Sequence, residues 1–75
     1  MNWETRVRLL VDLPLIGKGK VFVIRDSDPF VYWMDGETEQ RMRPGLGSYI
    51  RLIHNERDVM ELLSREPEPD ENQDY

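Results

Sequence analysis

The chain has 75 residues, 39% of them apolar and 33% charged, with no cysteine and a formal net charge of −5. That length holds one small domain and excludes two, and the missing cysteine excludes disulfides and thiolate metal sites. No apolar run approaches the roughly 18 residues of a membrane span, and Met1-Asn2-Trp3-Glu4 has neither the basic nor the apolar part of a signal peptide, so a soluble, cytoplasmic protein is expected.

Thr5 to Leu13 alternates, with Val7, Leu9, Val11 and Leu13 to one side and Arg6, Arg8 and Asp12 to the other, which predicts a half-buried first strand. Pro14 ends it. After the flexible turn Gly17-Lys18-Gly19, the β-branched and aromatic run from Lys20 to Arg25 predicts a second strand. Asp26-Ser27-Asp28-Pro29 is a loop signal. Phe30 to Met34 predicts the third strand, and Asp35-Gly36 favours a two-residue type I′ hairpin leading into a fourth, from Glu37 to about Met42. Pro44-Gly45-Leu46-Gly47 breaks the chain, leaving room for one 3₁₀-like turn before a fifth strand, Ser48 to Ile53.

Asn55 is a suitable N-cap, with Glu56 and Asp58 placed to complement a helix dipole. Val59, Leu62 and Leu63 then share one side at helical spacing, with Met60 near its edge. A C-terminal helix from Glu56 to about Arg65 is predicted, covering an open end or face of the sheet. From Glu66 onward there is no aliphatic residue to bury and two prolines oppose a helix, so 66–75 is expected to be a disordered acidic tail outside a domain of residues 1–65. The charge divides at the same end. Residues 1–54 carry eight Lys and Arg against seven Asp and Glu, whereas residues 55–75 carry two against eight. A nearly neutral body therefore bears an acidic end.

With Asp35-Gly36 as the whole loop, Met34 faces Glu37, Trp33 faces Thr38, Tyr32 faces Glu39, Val31 faces Gln40 and Phe30 faces Arg41. Parity then puts Phe30, Tyr32 and Met34 on one face with Glu37, Glu39 and Arg41, and puts Val31 and Trp33 on the other with Thr38, Gln40 and Met42. The charged face is the one expected to meet water. It carries an aromatic stripe beside an arginine, the composition of a binding patch.

Little here supports catalysis. The chain has one His, no Cys, and serines only at 27, 48 and 64, and His54 falls at an element junction where capping or packing is the expected role. Asp26 and Asp28 are too few for a calcium loop and suit Asx turns, while Gly17-Lys18-Gly19-Lys20 is too short to cradle phosphate. The chain is therefore read as no enzyme, with no cofactor and no metal.

The stretch Val7-Arg8-Leu9-Leu10-Val11-Asp12-Leu13-Pro14, then Gly17-Lys18-Gly19-Lys20-Val21-Phe22-Val23-Ile24, resembles the opening hairpin of KOW and translation-factor barrels. Together with the series of five short strands over residues 5–53, it makes the chain resemble the SH3-like small barrel. The resemblance implies a mainly β fold: a five-stranded barrel with a short C-terminal α-helix and the acidic tail. The aromatic-acidic signature of the first loop in peptide-binding SH3 domains is replaced by Leu15-Ile16-Gly17-Lys18, so binding of proline-rich ligands is not implied. Such folds host many roles.

Two partners compete. A larger protein or protein complex would be met by Phe30, Tyr32, Met34, Arg41 and Arg43, with Lys18 and Lys20 nearby; a single-stranded nucleic acid would use Lys18, Lys20, Arg25, Arg41, Arg43 and Arg51 interleaved with Phe22, Tyr32 and Tyr49. The acidic balance favours protein, because nucleic-acid domains are normally basic. In size and charge the chain is similar to the adaptors and inhibitors that phages and mobile elements direct at host machinery such as RNA polymerase. A regulator or inhibitor of a larger complex, with transcription machinery among the candidates, is the expected role.

Overall fold

The structure, a computed structural model, describes residues 1–69. In chain order its elements are β1 (Trp3–Leu9), β2 (Val21–Arg25), β3 (Val31–Asp35), β4 (Thr38–Arg41), α1 (Pro44–Ile53) and β5 (Met60–Pro67). The strands form one antiparallel sheet in the order β4-β3-β2-β1-β5. The mainly β reading and the first four strands therefore hold, with shifted ends. β1 stops at Leu9 instead of Leu13, because the chain turns back through a Leu13–Ile16 bridge and the Lys18 N–H donates to Asp12 Oδ1 at 2.9 Å.

The last third reverses the expected order of helix and strand. Ser48–Ile53, expected as strand five, lies in α1, whereas the expected helix over Glu56–Arg65 is a turn followed by most of β5. Pro44 at the start of α1 supplies a helical φ where no N–H is needed, and Leu46, Ile50 and Ile53 then recur at helical spacing toward the core. Gly47 is buried against β3, where a Cβ would stand in ordinary contact, 3.5 Å, with the Val31 Cβ. Where Asn55 is expected to cap a helix there is only a turn, in which the Val59 and Met60 N–H groups both donate to the Glu56 carbonyl. Beyond it the chain extends and pairs with the free side of β1.

That pairing also moves the start of the tail. Glu66 and Pro67 pair with Glu4 and Trp3, the Glu68 N–H donates to the Asn2 carbonyl, and the Glu68 carboxylate accepts from the Ser27 N–H and hydroxyl. Residues 66–68 are thus structured; the rest of the expected tail, from Asp70, lies outside the described residues.

On the side of the sheet facing α1, Val7, Leu9, Phe22, Ile24, Val31, Met42 and Met60 pack with Ile16 and Ile50, and Trp33 covers one flank. A glycine within α1 offers a direct test of the helix. Gly45 sits in the first turn of α1 with open space around its Cβ position. Gly45→Ala is expected to stabilise by about 0.5–1 kcal/mol, a rise of a few degrees in the thermal midpoint followed by circular dichroism. A strand at 48–53 would show no such gain. Gly36→Ala, at φ +63°, is expected to lower the midpoint instead.

Candidate protein-binding surface

The face of the sheet away from α1 is built by alternation. Register puts Arg6 opposite Val23, Val23 opposite Tyr32, Tyr32 opposite Arg41, Met34 opposite Glu39 and Glu4 opposite Arg25. The hairpin differs from expectation by two residues: Asp35 pairs with Thr38, and the loop is Gly36-Glu37. Gly36 has φ +63° and Glu37 has no positive φ, so the turn is of the II′ kind, which needs glycine only at its first central position. A slip of two preserves parity. Tyr32 and Met34 therefore share a face with Glu39 and Arg41, and Val31 and Met42 are buried on the other.

Exposure differs more. Phe30, Tyr32 and Met34 are half-buried; the guanidinium of Arg41 stands 4.6 Å from the Phe30 ring centre and that of Arg25 stands 5.6 Å from the Tyr32 ring centre. Val23, between Arg6 and Tyr32, is completely buried on this face, a position the aliphatic stems of long side chains can cover.

Arg25 organises the charges. Its two terminal nitrogens donate to both oxygens of Glu39, at 2.9 and 2.8 Å, and its Nε donates to Glu4 Oε2 at 2.9 Å. The other Glu4 oxygen accepts from Arg6 Nε at 3.3 Å. The fork-on-carboxylate geometry is the strong form of such a pair. The Arg25 hydrogen bonds hold the Glu39 carboxyl below its ordinary range, and those bonds also raise the pKa of Arg25 against the opposing effect of partial burial. Next to them Asp28 accepts from the Phe30 N–H at 2.9 Å and from the Tyr32 hydroxyl at 2.8 Å. The Phe30 N–H chiefly, then the Tyr32 hydroxyl, lowers the Asp28 pKa, and donation to Asp28 raises that of Tyr32. Asp28 thus forms the Asx turn expected of it and also fixes the ring of Tyr32.

The chain matches no protein-family model, no curated protein and no solved structure. The available chemistry follows from the side chains alone. Among the described residues no group of three or more His, Cys, Asp or Glu is placed to hold a metal ion, and no helix is long and apolar enough to cross a membrane. His54 Nδ1 bonds the Arg51 carbonyl at 2.6 Å, closing the end of α1.

The seven expected contact residues do not form one patch. Phe30, Tyr32, Met34 and Arg41 come together, and Arg43 is exposed at the start of α1. Lys18 and Lys20 lie apart from these: Lys18 is exposed in the β1–β2 loop, and Lys20 Nζ stands 4.1 Å from the ring centre of Trp33, which packs on the opposite side of the sheet. Sequence reasoning missed Glu4 and Glu39 as organisers of the face. Their parity was readable, but the eleven-residue connection from Leu10 to Lys20 hid the register that joins Glu4 to Arg25. Arg51 was placed in a strand; from α1 it donates to the Arg25 carbonyl at 3.1 Å and to the Asp28 carbonyl, tying the helix to the loop under Tyr32.

Proposed function

We propose that this chain is a non-enzymatic protein-binding module, a regulator or inhibitor of a larger protein complex, with Phe30, Tyr32, Met34 and Arg41 as its docking surface. One observation carries the reading. Arg41 is exposed and stacked on Phe30 with no carboxylate at salt-bridge distance among the described residues, so a cation on an aromatic base remains available while its neighbours are internally satisfied. Single-stranded nucleic acid is the weaker reading. Arg25 and Arg51, two of its six cations, are occupied by protein acceptors, and Lys20 faces the other side of the sheet.

The SH3-like barrel belongs to this proposal as its finer fold reading. It is supported by the order β4-β3-β2-β1-β5 and by a short helix between the fourth and fifth strands. Closure into a barrel would strengthen the curvature of the docking face.

Capture from lysate with the wild type identifies a partner; anisotropy against that partner then measures Arg41→Glu and Phe30→Ala. Each is expected to weaken binding about thirtyfold, the effect of losing a hot-spot residue worth about 2 kcal/mol. Unchanged affinity in both variants rejects the surface. A labelled single strand that binds wild type, with affinity falling steeply as salt rises, would replace the protein reading by the nucleic-acid one.

A further inference from the structure

β5 ends the sheet on its side, so among the described residues its outward backbone groups have no strand partner. Along it, on the helix side, runs an open cleft of about 770 Å³. Its lining mixes polar groups with four apolar side chains: Val7 and Met60 are buried at its base, while Leu62 is 62% and Leu10 37% exposed. Leu62 points toward the core side but stays uncovered, because α1 is anchored over β3 at Gly47 and Val31.

The cleft is lined by two cations, Arg57 and Arg65, and two carboxylates, Asp26 and Glu61. Of the charged lining groups, Glu61 is paired with Arg8 at 3.1 Å and Asp26 accepts from the Trp3 N–H at 2.9 Å. Arg57 and Arg65 have no carboxylate at salt-bridge distance among the described residues, and Arg65 is held 4.5 Å from the Trp3 ring centre. In a chain of net charge −5, two arginines without a carboxylate partner among the described residues, beside Met60 and Leu62, are a local exception.

A second copy of the chain does not fit. Arg6 pairs with Ser64 and Val7 with Leu62, so Leu63 is a bulge, and the bulge puts Glu61 and Arg65 on opposite faces of β5. Two β5 strands centred on Leu63 would therefore not join the Glu61 of one copy to the Arg65 of the other.

We propose that the cleft beside β5 docks an extended acidic segment of a partner protein, which adds to the β5 edge, sets an aliphatic side chain on Met60 and Leu62, and places carboxylates at Arg57 and Arg65. Backbone pairing supplies affinity in this mode and the pocket beside the edge supplies specificity. The site is separate from the outer face and does not depend on it.

The test is fluorescence anisotropy with a fluorescein-labelled synthetic peptide, Asp-Glu-Val-Leu-Val-Glu-Asp, and its counterpart with lysine at every acidic position. Wild type is expected to bind the acidic probe, with affinity falling as salt screens the exposed pairs, and to ignore the lysine probe. Arg57→Glu/Arg65→Glu is expected to weaken acidic-probe binding at least about tenfold and to accept the lysine probe. Arg57→Glu alone breaks no hydrogen bond or ion pair among the described residues and keeps the test valid should loss of the Arg65–Trp3 stack unfold the double variant. Arg41→Glu is expected to leave probe binding unchanged, which separates failure here from failure of the outer face. No binding of the acidic probe, equal binding of both probes, or undiminished binding by Arg57→Glu overturns the proposal. If only a chain ending at Pro69 binds the acidic probe, residues 70–75 are the occupant and the assignment to a partner protein is overturned.

Discussion

Phe22→Ala is expected to remove most of the folded state at room temperature. Phe22 is the largest of the completely buried side chains, sits in the middle of β2 opposite Trp33 and Val7, and belongs to the cluster that also holds Ile50 of α1. Truncating a buried phenylalanine costs about 3–5 kcal/mol through lost transfer energy and the cavity left behind. A body of this size without disulfide or metal holds only about 3–5 kcal/mol in total. The two quantities are of the same size, so urea or thermal unfolding followed by circular dichroism should show the wild-type transition disappear or shift below ambient temperature. Leu52→Ala is the control. Leu52 is 79% exposed on α1, and its truncation should stay within about 0.5 kcal/mol. A cooperative melt for Phe22→Ala within a few degrees of wild type would show that the core does not lie where β2 places it.

Arg25→Met has the second largest expected effect, and it carries a signature in pH. The substitution keeps much of the stem over Tyr32 but takes the donors from Glu39 and Glu4, whose side chains are 30% and 17% exposed. Water reaches such carboxylates in part, so the expected loss is about 1–2 kcal/mol, well below that of a fully buried pair. For a domain of this size that lowers the midpoint by roughly 5–15 °C. The sign with pH follows from Glu39. Its folded pKa lies below the ordinary value of 4.5, so its contribution is complete above about pH 4.5 and is lost as pH falls through the depressed value. Wild type should therefore lose midpoint steadily on acidification below that point. Arg25→Met should lose less over the same range, though not nothing, because Asp28 keeps its hydrogen bonds from Phe30 and Tyr32 and remains depressed. Parallel acid limbs in the two proteins would show that the Arg25–Glu39 fork contributes nothing to stability.

The outer face and the β5 cleft make different demands on a partner. On the outer face the cations are largely neutralised by Glu4 and Glu39, and the free elements are aromatic rings and Arg41, which suits recognition by packing. Beside β5 the elements without a partner among the described residues are backbone groups, Leu62 and two arginines, which suits an extended acidic strand. The brevity of β4, four residues long, makes uncontrolled pairing at that edge less favourable.

Much of the first 42 residues is determined by local pattern. Val7 and Leu9 against Arg6 and Arg8, the run Val21–Arg25, and the glycine turn before Thr38 mark strands whatever follows, since alternation and turn chemistry are properties of adjacent residues. Face assignment came with it: even with the hairpin slipped by two residues, Tyr32 and Arg41 stay together, because pleat parity survives an even slip. The aromatic part of the candidate surface was legible for that reason, and the Glu4–Arg25–Glu39 network was not, since it depends on which strands become neighbours across long connections. The last third was decided only by tertiary structure. Tyr49, Ile50 and Ile53 have strand-like composition, but Leu46, Ile50 and Ile53 also form a helical stripe, and α1 packs over Val31 at Gly47. Val59, Leu62 and Leu63 fit a helical stripe equally well, yet β1 had one side unpaired, and Met60–Pro67 satisfies its backbone. Both segments suit either conformation locally. The hydrogen bonds that β1 required and the core that α1 completes chose between them.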